Sequence, residues 1–179
     1  AHAGIRERVA VGQPTVVTAV RSADGLWFAR MAYGPGGGSA VRSVIDWAHV
    51  TTSGIQIQVP TVIEDATNVL HYGAPSMAID GAGNMLMGLN QFSFLAFPAA
   101  AYTLYGNNRA TGWDTPAVYK AGLGYVRLLN ASGNATWSPT SATVRDPNDG
   151  VGFWTVQQYP LANGGWGTWW AHIEPPSSC

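Results

Sequence analysis

The chain has 179 residues, enough for one domain that buries a sizeable core. Only 11% of them are charged, the net charge is −1 and no run of like charges occurs, so a nucleic-acid partner has no electrostatic footprint here. No apolar stretch approaches the roughly 20 residues that span a bilayer, and 22 Gly with 8 Trp and 7 Tyr fit a β-rich extracellular domain better than a cytosolic helical one.

Residues 1–10 carry Arg6, Glu7 and Arg8 where a signal peptide would be apolar, as expected of a secreted chain whose signal has been removed. Short β-favouring runs follow, each bounded by turn residues. Ile5–Val11 is a candidate outer strand. Thr15–Val20 and Leu26–Tyr33 form a hairpin about Asp24-Gly25, where glycine supplies positive φ without steric cost. A loop at 34–38 leads to a third strand at Val44–Val50. A fourth is expected at Ile55–Val59, where Ile55, Ile57 and Val59 alternate with Gln56 and Gln58.

The pattern restarts at Ser76–Ile79, turns at Asp80–Asn84 and continues through Met85–Leu89, with outer strands expected at Ala99–Tyr105 and Leu123–Leu129. It restarts again at Ser141–Val144, turns at Asp146–Gly150, and runs on through Phe153–Val156 and Trp166–Ile173. The turn aspartates Asp24, Asp80 and Asp146 mark the repeat, which points to propeller-type blades at roughly 15–60, 74–130 and 140–175. The third lacks an outer strand, and three blades are too few for an ordinary closed ring of four to eight. The expected fold is therefore a single all-β domain, either the C-terminal part of a larger propeller or a partial propeller that closes by association. A β-sandwich is the alternative. Trp154 and Trp169, flanked by apolar residues in strands, are expected to be buried between sheets.

The segments Ser141-Ala142-Thr143-Val144-Arg145-Asp146-Pro147, Phe153-Trp154-Thr155-Val156-Gln157-Gln158-Tyr159 and Trp166-Gly167-Thr168-Trp169-Trp170-Ala171 resemble a recurrent pattern of secreted bacterial β-propellers. These are largely uncharacterised proteins, distantly similar to sialidase-like and BNR-repeat propellers. Tyr72–Asp80, followed by Gly83-Asn84, resembles the preceding blade of that family. The resemblance implies the fold and export, not a chemistry. The family often has Trp-Gly-Asp-Tyr-Ser before the Asp-Pro turn, whereas this chain reads Trp137-Ser138-Pro139-Thr140-Ser141 and lacks the acid.

Candidate chemistry is sparse. His2, His49, His71 and His172 show no zinc-site spacing, and there is no nucleophile elbow or phosphate loop. Asp46, Glu64, Asp65, Asp114 and Asp149 are candidates for the paired carboxylates of glycoside hydrolysis, but no spacing pairs them. Turn aspartates ordinarily bond their own backbone. Asp146 and Asp149 also offer oxygens that suit calcium; no other cofactor is expected.

Aromatic residues are the stronger clue, because Trp and Tyr present a flat apolar face to sugars and protein partners. Trp113, Tyr119, Trp137, Trp166, Trp169 and Trp170 crowd the C-terminal half. The polar loop Arg109–Asp114 is expected to be exposed, which makes Arg109, Trp113, Asp114 and Tyr119 a candidate rim for carbohydrate or protein. Asn130 and Asn134 head formal glycosylation sequons. Cys179, the sole cysteine, is a free terminus or an intermolecular disulfide to a second chain. These observations support a secreted or cell-surface module for binding or assembly, with a second chain or self-association closing the propeller. The alternative is part of a carbohydrate-active enzyme, a glycoside hydrolase or polysaccharide lyase, with its site on the propeller axis.

Overall fold

The computed structural model describes residues 9–10, 15–34, 42–54, 61–106, 112–126, 129, 131, 133, 135–138 and 140–176. Ile55–Val59, Arg109, Asn130, Asn134 and Cys179 lie outside the described residues. Within them the chain is all-β, without a helix. The strands are β1 (Val9–Ala10), β2 (Val16–Arg21), β3 (Gly25–Tyr33), β4 (Ser43–Thr51), β5 (Thr61–Ile63), β6 (Leu70–Ile79), β7 (Met85–Ser93), β8 (Ala99–Tyr105), β9 (Ala117–Lys120), β10 (Ala135–Thr136), β11 (Ala142–Arg145), β12 (Phe153–Pro160) and β13 (Trp166–Ile173).

They form three antiparallel sheets in sequence order: β2-β3-β4-β5, β6-β7-β8-β9 and β11-β12-β13. The candidate outer strand at Ile5–Val11 joins none of these, since its described part, β1, pairs in parallel with β10. The expected outer strand at Leu123–Leu129 is also displaced, to β9. Added Cβ atoms at Gly122 and Gly124 would strike the Pro98 and Leu161 carbonyls, so this segment runs against neighbouring backbone instead of forming a ladder. Val126 then buries beside Met31, Phe92 and Trp137. Strand β6 begins at Leu70, earlier than expected. Ala74 has a φ of +50°, and the register shifts between Gly73 and Ser76, so a bulge absorbs Pro75, which has no N–H to donate.

Successive strand residues point to opposite faces, and the second sheet uses both faces. Met77, Met85, Met87 and Leu89 pack on Trp27, Ala29, Ile45 and Trp47 of the first sheet. On the opposite face Ala78, Leu86 and Leu104 pack with Phe153 of the third sheet. We call the first sheet's face toward the second its front. Fronts then meet backs throughout: front of the first to back of the second, front of the second to back of the third.

Polar groups tie the second joint together. Gly88 allows Thr143, Thr155 and Gln157 to approach, where any side chain would collide. Ser76 Oγ lies 2.8 Å from Thr143 Oγ1 and accepts from Gln157 Nε2 at 3.2 Å. Buried Asn90 donates to the carbonyls of Ala99 and Gln158 at 3.1 and 2.7 Å and accepts from Trp137 Nε1 at 3.0 Å, so its amide is satisfied inside the core. Strand β6 touches β2, β3 and β4 on one side and β11 on the other.

Phe153→Ala should cost about 3–5 kcal/mol in denaturant unfolding, the range for a buried aromatic. A loss under about 1 kcal/mol would show that the third sheet is not packed on the second. The turn into β6 gives a pH test. Asp65 accepts from Thr67 Oγ1 and from the backbone N–H groups of Thr67, Val69 and Leu70, and these bonds hold its pKa down at about 2 against an ordinary 3.8. The lowered folded-state value means that its stabilisation is present above the unfolded value and disappears as pH falls toward the folded one. The stability gap between wild type and Asp65→Asn should therefore close between those two pH values. A gap that stays constant on acidification would contradict this role.

Candidate functional site

The hairpin turns of the three sheets are built alike. The backbone N–H of Ser22, Asp80 and Asp146 donates across each turn, to the carbonyls of Gly25, Asn84 and Gly152 at 2.9, 2.9 and 2.7 Å. The residue corresponding to Asp80 and Asp146 is thus Ser22, not Asp24 as the sequence spacing suggests. As expected, the aspartates serve their own turns: Asp80 accepts from the N–H of Ala82 and Asn84, and Asp146 from that of Asn148.

From this anchor the strand registers align residue by residue. The first front row reads Val20-Trp27-His49 in the first sheet, Ala78-Leu86-Leu104 in the second and Val144-Trp154-His172 in the third. The second front row ends in Trp47, Tyr102 and Trp170. The first and third sheets thus share one device. In the first, Trp27 Nε1 donates to Ser22 Oγ at 3.0 Å, Ser22 Oγ bonds Asp24, and Trp27 stacks on His49 and Trp47 at 3.7 and 5.6 Å. In the third, Trp154 Nε1 donates to Asp146 Oδ2 at 2.8 Å, and the Trp154 ring lies 4.5 and 5.4 Å from His172 and Trp170. Gly25 and Gly152 admit the imidazoles, which an added Cβ would strike in both cases.

The environments of the two devices differ. Trp47 is 2% exposed, covered by Tyr105 and Trp113 from the second sheet. Its counterpart Trp170 is 65% exposed, and Val144 on the same face 55%. Trp154 is only partly buried, and Trp169, on the other face of β13, is 45% exposed. The expectation that Trp154 and Trp169 are buried between sheets is thereby corrected: Trp154 lies on the open front, and Trp169 meets the second sheet only at its rim, beside Tyr119 and Lys120. No described sheet covers the Trp154–Trp170 part of the third sheet's front, and β13 is an edge strand; farther along the same face Gln158 is buried beside Trp137. Apolar neighbours in sequence identify a strand without identifying what covers it.

The candidate rim separates into two places. Trp113 is not an exposed loop residue: it pairs with Tyr105, packs edge-on against Trp47 at 5.7 Å, and the N–H of Asp114 donates to the Leu104 carbonyl at 2.8 Å. Trp113 and Asp114 line an open cleft of about 570 Å³ with Glu64, Asp65 and Tyr72. Tyr119 lies apart from it, its hydroxyl donating to the Trp169 carbonyl at 3.4 Å and its pKa raised by burial. Lys120 Nζ sits 3.9 Å from the centre of the Trp169 ring, a cation–π contact.

Asp146 and Asp149 gain a third neighbour, His172. One ligand atom from each lies within 4.8 Å of the others. Asp149 Oδ1 accepts from the N–H of Val151 and Gly152, which lowers its pKa. One imidazole with two carboxylates is a donor set closer to transition-metal than to calcium preference. A groove of about 900 Å³ runs along the hairpin turns past Asp24, His49, Asp80 and Arg145. Its carboxylates are engaged, Asp24 with Ser22 and Asp80 with Ala82 and Asn84.

No family model matches the chain, and comparison with curated proteins and with solved structures finds no match. The signal that sequence reasoning passed over is internal: Trp47-Ala48-His49-Val50 and Trp170-Ala171-His172-Ile173 are the same strand written twice.

Asp146→Ala should destabilise by about 1–3 kcal/mol, because Trp154 Nε1 and the Asn148 N–H lose a common acceptor. Asp24→Ala should cost less, since Ser22 still accepts from Trp27. Equal losses in chemical denaturation would break the equivalence of Ser22 and Asp146.

Proposed function

We propose that this chain is an extracytoplasmic binding and assembly module of β-propeller type, and that the front of its third sheet is the surface through which it acts. One observation carries the reading: Trp170 is bare where its structural counterpart Trp47 is enclosed. A Trp-Trp-His face of this kind is an apolar and aromatic patch of the sort that marks interaction sites on soluble proteins.

The propeller assignment is supported by the front-to-back stacking of consecutive sheets and by the placement of their first strands, β6 contacting both β2 and β11. The extracytoplasmic assignment is supported by the low charge, the glycine and aromatic content, and the resemblance of the C-terminal strands to secreted propellers. The enzymatic alternative receives less support, because the acids along the hairpin-turn groove are consumed by their own turns and none is poised for acid–base work. No helix among the described residues is long and apolar enough to cross a membrane.

Hydroxyl-radical footprinting of the protein in the culture that produces it tests the reading. Trp170 should be protected several-fold relative to its intrinsic reactivity, while Phe94, also largely exposed, should be labelled freely. Trp170 oxidised as readily as Phe94, with Trp47 still protected, would show that nothing covers the face and would end this proposal.

A further inference from the structure

Resting on that reading, we infer that the partner is a second copy of the same chain, whose first-sheet back seats on the third-sheet front, head to tail. The argument follows from how the two internal joints are made. In each, the first back row of one sheet plugs the first front row of the sheet before it. The plug is Met85 in the second sheet, set among Trp27 and Trp47, and Phe153 in the third, set among Ala78, Leu86 and Leu104. The register places Leu26 at the same point of the first sheet, in the row Arg21-Leu26-Val50 that corresponds to Ile79-Met85-Tyr105 and Arg145-Phe153-Ile173. Met85 and Phe153 are fully buried, whereas Leu26 is 45% exposed. Among the described residues the first sheet thus presents an open plug and the third sheet an open socket, the two halves of a joint the chain already makes twice.

Polarity agrees row by row. Arg21 does not bar the joint, because Arg145 holds the same position at an occupied back and stays exposed there. In the third row the first joint is apolar on both sides, Ile45 packing with Leu89 and Ala101. The spare first-sheet back carries the Arg30–Asp46 ion pair in that row, and the third-sheet front offers exposed Thr168 there, Gln158 being already buried within the chain. A heterologous joint of this kind forms a ring when its rotation closes. Two chains of three sheets give six, within the four to eight usual for propellers.

The test uses Leu26→Lys and Trp170→Lys. Both sites are exposed, so each variant should keep the wild-type circular dichroism and melting cooperativity. Native mass spectrometry and light scattering of the wild type should show a two-chain species at twice 18.9 kDa. Each variant alone should lose it and run at 18.9 kDa. An equimolar mixture of the two should recover a two-chain species, because it pairs the intact socket of one variant with the intact plug of the other. A wild type that stays monomeric at high micromolar concentration overturns the inference, as does a two-chain species indifferent to both substitutions. A monomeric pure chain whose Trp170 is nevertheless protected in culture would also overturn it while leaving the assembly function standing, with a different polypeptide on the same face.

Discussion

The structure depends on one constraint: a sheet placed between two others must bury both of its faces. Strand β7 meets it by strict alternation. Met85, Met87 and Leu89 fill the joint with the first sheet, and Leu86, Gly88 and Asn90 fill the joint with the third. The two faces are packed by different means. The first joint holds two tryptophans against three methionines and one leucine, and unbranched methionine adapts to the irregular space between indoles. The second is tight and partly polar. Gly88 clears room for Thr143, Thr155 and Gln157, whose bonds to one another and to Ser76 set the relative height of the two sheets. Buried hydroxyls bonded to one another in this way fix register, because a one-residue slip would strand them without partners.

The turn device explains why the first and third sheets look alike while the second does not. In those two sheets an indole N–H at the start of the second strand needs an acceptor close to the turn, and Ser22 or Asp146 supplies it. The second sheet has Leu86 in place of the tryptophan, so no such N–H exists there. Asp80 binds Asn84 Nδ2 instead, keeping the turn closed by a purely local bond. Leu104 then replaces the histidine that elsewhere lies beside the indole. The second sheet thus gives up the Trp-His pair in favour of a compact aliphatic row, which Phe153 can cover.

Much of the architecture was legible in the sequence. The three hairpins and the Asp-containing turns follow from short β-favouring runs broken by Asp, Gly and Asn. Other features depend on distant contacts that a local pattern does not encode. The segment after Lys120 has a strand-like composition, but Gly122 and Gly124 are used for close backbone approach. Trp113 stands among polar residues, yet it is drawn into the core by Trp47, more than sixty positions earlier. The candidate site was half legible. The repeated Trp-Ala-His strand is plain once the hairpin turns are aligned, but alignment on Asp24 instead of Ser22 shifts the first sheet by two residues and hides it.

Burial is the property that sequence conceals most completely, and here it carries the functional argument. Trp47 and Trp170 share neighbours, strand position and local motif. They differ in their surroundings: Trp47 has β5 beside it and the second sheet over it, whereas Trp170 lies on an edge strand with no described sheet over it. A face built like one that is covered, yet left open with an indole, an imidazole and a valine on it, loses apolar area to water that its twin does not lose. Giving the open face a covering sheet requires only a third use of a joint the chain already forms twice.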